Sequence, residues 1–333
     1  KKEEAKECIA QFVGKRKFFA HPKFKQEFTT ENIMGVYFPY MVVDINAHSH
    51  LTGEGEHTAR TYTKKEGDHN VTCYDVDVYH VEREFDVVIE GLTIESSADK
   101  LNQQATDKTT NIINSIMPFD IENAVKWNAN YLKGYSSEKR DTNVEQLQPL
   151  IDTQAKDIAR FSVNDTLLEY DRGVEWKAEQ LLLKGQQWKA AYLPVWLYSY
   201  QQVKGEKKLL HYVAVNARTK ETMGSVPIHM PKLLGVSFLV ELLGVFAMLF
   251  VDFDYNWLFL LIGVIYFFLM FGRYRNKNAR HRYELETKRN ISNLKKIDQY
   301  THRETEVTTS MMLGANNTNI HRKPSISDVS SIE

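Results

Sequence analysis

Two long apolar segments near the C-terminal end dominate the hydrophobic pattern of this chain. Residues 233–251 and 255–271 are almost entirely apolar, and a short acidic linker at residues 252–254 separates them. Nineteen residues of α-helix rise about 28 Å, close to the roughly 30 Å hydrocarbon thickness of a bilayer. The pattern therefore predicts a transmembrane helical hairpin over residues 233–272.

The first third of the chain combines one helical pattern with a long stretch of strand pattern. Apolar residues recur at helical spacing in residues 1–18, which predicts an amphipathic helix. Residues 35–91 alternate between apolar and polar positions and are rich in β-branched and aromatic side chains, which favours antiparallel strands. Gly53, Gly55 and Gly67 indicate turns between these strands.

The middle of the chain repeats this combination of helix and strand. Residues 144–161 place apolar side chains on one helical face, and residues 173–228 again have the composition of strands. We therefore predict an α+β region of two antiparallel-sheet lobes with helices. The first lobe covers residues 1–118, and the second covers residues 119–232.

The region that follows the apolar segments is strongly basic. Residues 273–296 contain nine basic and two acidic side chains, and each basic residue near anionic lipid contributes about 1 kcal/mol of binding. We predict a basic juxtamembrane helix over residues 273–300 and a disordered, Ser/Thr/Asn-rich tail over residues 301–333. No aromatic platform accompanies the basic residues, so no nucleic-acid partner is predicted.

Basic residues flank the apolar segments on one side only. Since basic residues near membrane segments stay on the cytoplasmic side, the N-terminal and C-terminal regions are both predicted to be cytoplasmic, with the acidic linker outside. The predicted membrane-interface residues are Lys232, Arg273, Arg275, Lys277, Arg280 and Arg282.

One carboxylate lies inside the first apolar segment. Glu241 would cost a few kcal/mol in hydrocarbon if it were charged and unpartnered. At a similar depth on the returning segment, Tyr266 offers a hydroxyl, so we expect a protonated Glu241 to bond either Tyr266 or a second copy of the chain. The alternative is an ion path in an oligomeric channel or transporter.

Composition places most of the chain in water. The 333 residues are 43% hydrophobic and 26% charged, which is normal for globular material, and the mean hydropathy is −0.43. Cys8 and Cys73 are too few for a disulfide framework or a zinc site, which favours a reducing compartment. Because the chain begins at Lys1 rather than at methionine, we expect it to be part of a longer product.

Histidines on the first strand pattern are the best candidates for metal chemistry. His48 and His50 share a strand face with Asp44, and His57 is close in sequence. These residues also occupy the polar half of an alternating pattern, as a solvated sheet face requires. We therefore assign no catalytic, cofactor-binding or metal-binding residue, and a metal-dependent hydrolase remains the enzymatic alternative.

Two aromatic residues in a loop-rich region are candidates for contact with a protein partner. Trp127 and Tyr135 lie between the predicted helices and strands of the second lobe, where large aromatic side chains either pack inward or bind partners.

Five short motifs give the chain a family resemblance. They are GVYFPY at residues 35–40, MPFD at 117–120, YLKGY at 131–135, YLPVWL at 192–197 and VNARTK at 215–220. Their order resembles a family of bacterial two-span membrane proteins that are labelled TFIIB-type zinc-ribbon proteins, are often mislabelled primosomal replication helicases, and include YdjG-like proteins. A helicase would need a GxxxxGK[ST] phosphate loop, which the chain lacks.

The resemblance implies an N-terminal zinc ribbon of paired CxxC motifs, a cytoplasmic α+β region and a membrane anchor in the bacterial inner membrane. This chain has no CxxC motif, so zinc is expected only in a ribbon that precedes Lys1. The resemblance also suggests SPFH-domain or phage-shock-type partners and a role in envelope stress. The expected function is a non-enzymatic integral membrane scaffold or docking subunit that contacts membrane lipids and other membrane-associated proteins, as a monomer or a homo-oligomer.

Overall fold

Long β-strands form most of the ordered structure. The computed structural model describes residues 1–66, 69–96, 113–204, 207–248, 256–275 and 282–309. Its strands are β1 (Met34–Glu66), β2 (His69–Glu95), β3 (Ser136–Ser137), β4 (Val174–Lys204), β5 (Lys207–Asn216), β6 (Thr222–Gly224) and β7 (Lys288–Thr309). Its α-helices are α1 (Lys2–Gly14), α2 (Pro22–Glu27), α3 (Val144–Ser162), α4 (Met230–Met248), α5 (Ile262–Arg275) and α6 (Tyr283–Glu286).

The chain divides into two compact units, and each unit is assembled from three separate segments. Unit 1 contains Lys1–Tyr40, Glu95–Thr142 and Ala190–Arg282, and unit 2 contains Met41–Ile94, Asn143–Lys189 and the described residues from Tyr283 onward. These units do not follow the predicted boundaries of the sheet lobes, 1–118 and 119–232. The physical reason is that β1 and β4 are continuous strands, and each of them contributes residues to both units.

Unit 2 contains a sheet with the strand order β4-β1-β2-β7. The alternation seen in the sequence decides which face is buried: Val43, Ile45 and Ala47 are buried, whereas Asn46 is exposed and His48 is half-buried. Strand β7 runs antiparallel to β2 along nearly its whole length. Helix α3 packs against β7 and α6 through an apolar face, as its spacing predicts.

A close approach of two strands explains why a predicted turn is absent. We interpreted Gly53 as a turn, but β1 continues through it. A Cβ atom at Gly53 would lie only 2.5 Å from the carbonyl oxygen of Glu175 on β4. Glycine is needed here because the backbone of β4 comes too close for a side chain. A glycine inside a strand pattern can therefore indicate close backbone contact as well as a turn.

Unit 1 contains the strands β6-β5-β4-β1, with the short β3 parallel to β1. Helices α1 and α2 place Ile9, Phe12 and Phe24 in a buried cluster with Tyr198 and Val213 of the sheet. Helix α1 buries the side that its apolar spacing predicts, and α2 begins with proline, whose fixed backbone angle suits the first turn of a helix.

The predicted transmembrane hairpin is wrong. The second apolar segment does not form one long helix, because Asn256–Leu261 is 3-10 helix and α5 has only 14 residues. A 14-residue α-helix rises about 21 Å, which is short of a bilayer core. Among the described residues, α4 is the one helix with the length and apolar composition to cross a membrane. The linker at 252–254 lies outside the described residues.

The region after the apolar segments also differs from its prediction. Instead of a basic helix over residues 273–300, the chain forms the end of α5, then α6, and then β7 from Lys288. The basic segment instead pairs along the backbone of β2, and its basic side chains lie opposite acidic ones there, as Lys295 does with Glu84 and Arg303 with Asp77. Strand β7 continues to Thr309 inside the predicted tail, and residues 310–333 lie outside the described part.

Candidate functional site

An exposed apolar surface on α4 and α5 is the most unusual feature of unit 1. Only Leu233, Ser237 and Gly244 are buried among the nineteen residues of α4, and Leu243 is 68% exposed. We call the exposed side chains of these helices the apolar helix surface. They are Leu234, Phe238, Leu239, Leu242, Leu243, Val245, Phe246, Ile262, Val264, Ile265, Phe268 and Leu269. Continuous exposed apolar areas of this kind mark interaction surfaces for membranes or proteins.

Small residues allow close contacts of α4 with α5 and with the 3-10 helix Asn256–Leu261 that precedes α5. A Cβ atom at Gly244 would lie 2.6 Å from the carbonyl oxygen of Phe259, and one at Gly263 would lie 2.5 Å from that of Ser237. Small residues allow such close helix contact without a large hydrophobic interface, as in helix pairs within lipid.

Glu241 has a different partner from the one that we expected. Its Oε2 atom accepts a 2.7 Å hydrogen bond from the backbone N–H of Gly263, at the start of α5. The first amides of a helix lack partners within the helix, and the positive end of the helix dipole favours a carboxylate. The ring of Tyr266 instead lies 6.4 Å from that of Phe19. Glu241 therefore connects α4 to the start of α5.

The loop after α1 connects the remaining ends of both helices to unit 1. The backbone N–H of Phe19 donates a 2.9 Å hydrogen bond to the hydroxyl of Tyr274 near the end of α5. The carbonyl of Phe19 accepts a 2.8 Å bond from the N–H of His229, just before α4. Tyr274 is buried. One short loop thus fixes both the beginning of α4 and the end of α5.

Basic side chains surround this loop. Lys232 and Lys25 both donate to the carbonyl oxygen of Phe18, at 2.9 and 3.4 Å, and Arg16 donates to the carbonyl oxygen of Arg273 at 3.0 Å. We define the basic cluster as Arg16, Lys17, Lys25, Lys232, Arg273 and Arg275. Three members, Lys232, Arg273 and Arg275, are among the predicted interface residues. Of the other predicted interface residues, Lys277 and Arg280 lie outside the described residues, and Arg282 lies just before α6.

The N-terminal members of the basic cluster were not predicted as interface residues. Arg16, Lys17 and Lys25 are more than 200 residues from α4 and α5 in sequence, so hydropathy around the apolar segments gives no reason to select them. The sequence signal available was the basic and aromatic composition of residues 15–25, which is typical of segments at membrane interfaces.

Two histidines of unit 1 are held in environments that disfavour their charged form. Burial, followed by the neighbouring His229 and Lys23, lowers the pKa of His21 below its ordinary value of about 6.5. Burial and the positive charge of Arg275 also lower the pKa of His211.

These histidines predict that acid destabilises the protein. A histidine with a lower pKa in the folded state binds its proton more readily in the unfolded chain, so the free energy of unfolding should fall as pH decreases through about 6.5 and level off below the folded-state pKa. Urea unfolding at pH 7.5 and pH 5.5 measures this slope. The double variant His21→Gln/His211→Gln should have a flatter slope, whereas His80→Gln at an exposed position should keep the wild-type one.

An aromatic patch lies on another part of unit 1. The ring of Trp127 lies 4.6 Å from that of Tyr192 and 6.2 Å from that of Tyr37, and the ring of Tyr135 lies 5.5 Å from that of Tyr37. We call these four residues the aromatic patch. Trp127 is 49% exposed and Tyr135 is 37% exposed, so both combine packing with an accessible surface.

The five sequence motifs of the family resemblance meet in this region. Tyr37, Tyr135 and Tyr192 each come from a different motif. The side chain of Asn216, in the fifth motif, donates to the carbonyl oxygen of Pro118 in the second motif at 3.1 Å. The same side chain donates to the carbonyl oxygen of Ile116, just before the second motif, at 2.9 Å. Motifs that are far apart in sequence therefore build one continuous part of unit 1.

The polar face of β1 in unit 2 carries the histidines considered as metal ligands. His48 Nδ1 lies 2.9 Å from Asp86 Oδ1, and His50 Nε2 lies 2.6 Å from Glu82 Oε1. Hydrogen bonds from Lys184, Asn293 and His48 hold the pKa of Asp86 well below its usual range. In the described part of the chain, no group of three or more His, Cys, Asp or Glu side chains has the arrangement of a metal site.

A fully buried arginine is the main polar feature of the unit 2 interior. Arg83 donates to both carboxylate oxygens of Asp298, at 2.8 and 3.2 Å, and to the carbonyl and hydroxyl oxygens of Thr166. A further bond reaches the carbonyl of Glu82. Arg83 follows Val81 and precedes Phe85 on the inward face of β2. A charged residue at an apolar position of an alternating strand was the available sequence signal.

Comparison with known proteins gives one weak similarity. The chain is similar to the uncharacterized protein YdjG of Bacillus subtilis (strain 168), with 24% identity over 228 residues. The matched region is 68% of this chain and 61% of YdjG, so the chain covers less than two thirds of that relative. No family model and no solved structure matches the chain. The predicted resemblance to YdjG-like proteins is confirmed to this extent, and its zinc-ribbon part is not.

Proposed function

We propose that this protein is a non-enzymatic scaffold that is attached to a bacterial membrane through the apolar helix surface and presents its sheet-rich units to protein partners. The main support for this proposal is the exposure of large apolar side chains on α4 and α5. Phe238 is 63% exposed, and Leu243 and Phe268 are similarly open. At about 25 cal/mol for each Å² of apolar area, water is an unfavourable surrounding for such a surface, and lipid is a favourable one.

The arrangement of polar groups supports a scaffold rather than an enzyme. The histidines and carboxylates on the β1 face bond one another, as His48 does with Asp86. The guanidinium of Arg83 donates hydrogen bonds to Asp298 and to backbone and side-chain oxygens of the same unit. These groups stabilise sheet and loop contacts, which is the ordinary role of cross-strand charge pairs.

The aromatic patch is the surface that we propose for partner contact. Aromatic residues are enriched at protein interfaces because they bury a large area with few rotatable bonds. Trp127 and Tyr135 are open on one side and packed on the other, so they are already held in place before a partner binds. Membrane-associated proteins of the SPFH-domain or phage-shock type are the proposed partner class, on the strength of the family resemblance.

The zinc-ribbon relationship belongs to the same proposal. Five motifs in the family's order support it, and their convergence in unit 1 supports a common architecture for that region. Since this chain has no CxxC motif, no residue described above is proposed to bind zinc.

Fractionation and cross-linking in native cells test the two parts of this function. The wild-type chain should sediment with membranes and form a specific cross-link to a protein partner. The variant Leu239→Lys/Leu243→Lys should move largely into the soluble fraction, because each lysine in hydrocarbon costs about 2.5–3.5 kcal/mol. Trp127→Ser should stay with the membranes and lose the cross-link.

Matched controls come from unit 2. Leu168 and Leu182 are 82% and 66% exposed, so the variant Leu168→Lys/Leu182→Lys makes the same chemical change away from the apolar helix surface. It should behave as wild type in both assays. A Leu239→Lys/Leu243→Lys protein that stays folded and stays with the membranes would contradict membrane attachment, and a cross-link that survives Trp127→Ser would contradict the partner surface.

A further inference from the structure

The basic cluster brings several positive charges close together around the loop after α1. Burial and then the charges of Lys232 and Lys17 lower the pKa of Lys25, and burial followed by Arg273 lowers the pKa of Arg16. Among the described residues, the carboxylate on α2, Glu27, pairs with Lys23 at 3.8 Å, and no cluster member has an acidic side chain within 4 Å. Like charges at such short range repel one another, so an anion bound among them would relieve an unfavourable interaction.

An exposed aromatic ring lies in the middle of these charges. Phe18 is 58% exposed, and the Nζ atom of Lys232 lies 3.7 Å from the centre of its ring. The carbonyl of the same residue accepts the bonds from Lys232 and Lys25. The ring therefore marks the point where two ammonium groups converge.

The basic cluster is continuous with the apolar helix surface. Lys232 lies in the first turn of α4, two residues before the exposed Leu234, and Arg273 and Arg275 lie in the last turn of α5. Basic side chains and an exposed aromatic ring next to an apolar helix form the composition of a membrane interface.

We propose that the basic cluster binds the phosphodiester group of an anionic phospholipid, whose acyl chains lie along the apolar helix surface. The ammonium groups of Lys25 and Lys232 contact the phosphate on either side of Phe18, and Arg16 holds the end of α5 against the loop. The inference rests on the proposed membrane attachment and adds a lipid class to it. Unit 1 then lies on the side of the membrane with the more anionic leaflet.

A lipid fits these observations better than a soluble polyanion. Nucleic acid or an acidic protein segment could also neutralise the charges, but neither would cover Leu234, Phe238 or Phe268, which are all more than half exposed. Nonspecific nucleic-acid binding also relies on several aromatic platforms for base stacking. A phospholipid supplies both groups in one molecule. Its phosphate can bind the basic cluster, and its acyl chains can cover the adjacent apolar helix surface.

Lipid selectivity measured by electron paramagnetic resonance tests this proposal. The full chain is reconstituted into phosphatidylcholine vesicles that contain a trace of spin-labelled phosphatidylglycerol or spin-labelled phosphatidylcholine, and the motionally restricted fraction of each probe is compared. Wild type should restrict phosphatidylglycerol preferentially. The variant Lys17→Gln/Lys25→Gln/Lys232→Gln should lower that preference by about fivefold or more, since one basic residue near anionic lipid is worth about that factor.

Two matched variants separate charge at the cluster from other effects. Lys17→Arg/Lys25→Arg/Lys232→Arg keeps the charges and should keep the preference. Lys126→Gln/Lys133→Gln/Lys139→Gln removes three exposed lysines elsewhere in unit 1 and should also leave it unchanged. Circular dichroism confirms that each variant is folded.

The outcomes distinguish this proposal from the function on which it rests. A wild-type protein that enters phosphatidylcholine vesicles but restricts both probes equally overturns the lipid site alone. A wild-type protein that enters neither phosphatidylcholine vesicles nor vesicles rich in phosphatidylglycerol overturns membrane attachment, and the lipid site with it. Displacement of phosphatidylglycerol by a short RNA at equal phosphate concentration would assign the cluster to nucleic acid instead.

Discussion

Replacing Asp298 by alanine is expected to lower the free energy of unfolding by about 3–5 kcal/mol, because it leaves the guanidinium of Arg83 buried without its counter-charge. The side chain of Arg83 is completely buried, and its two bonds to Asp298 are 2.8 and 3.2 Å long. Urea unfolding, followed by circular dichroism, measures the change.

The reciprocal variants make this prediction specific. The side chain of Asp298 is 29% exposed, so Arg83→Met leaves a carboxylate that water can partly solvate and should cost less than Asp298→Ala. The double variant Arg83→Met/Asp298→Leu should recover much of the loss, since buried ion pairs are often replaceable by apolar groups. A loss below about 1 kcal/mol for Asp298→Ala would show that the pair contributes little to stability.

Replacing Tyr274 by alanine is expected to cost about 3–5 kcal/mol, the range for removing a buried aromatic side chain. Its ring packs 5.9 Å from that of Phe19, and its hydroxyl accepts the bond from the Phe19 amide. Because this contact fixes the end of α5 to the loop after α1, the variant should also weaken the preference for phosphatidylglycerol. Urea unfolding and the spin-label assay measure the two effects.

Two further variants divide the contribution of Tyr274. Tyr274→Phe keeps the ring and leaves the amide of Phe19 without its acceptor, which should cost about 1–3 kcal/mol. Tyr131→Ala removes a tyrosine that is 46% exposed and should change stability by less than about 0.5 kcal/mol. Equal effects of Tyr274→Ala and Tyr131→Ala would contradict the anchoring role of Tyr274.

Local patterns predict the individual elements of this fold better than their arrangement. The alternation at Val43 and Ile45 and the helical spacing at Leu147 and Ile151 identify the buried faces, because side-chain direction follows directly from the period of each element. The turn predicted at Gly53 is wrong because a neighbouring strand, far away in sequence, requires glycine there. Nothing within the local pattern distinguishes these two uses of glycine.

Long-range partners also explain what was missed in the candidate site. Lys232 and Arg273 were predicted as interface residues because they flank the apolar segments. Arg16 and Lys25 join them only through contacts across the fold. Similarly, β7 forms by pairing with β2, which is about 200 residues away in sequence, whereas its basic composition alone is equally compatible with a helix.

The discontinuous segments of the two units determine which experiments can separate their roles. No continuous fragment contains all of one unit without part of the other. A truncation after residue 118 would remove β4, the neighbour of β1, and leave a long unprotected strand edge that favours aggregation. Deletion mapping would then report insolubility in place of lost function, so point substitutions on the intact polypeptide are the appropriate genetic tool.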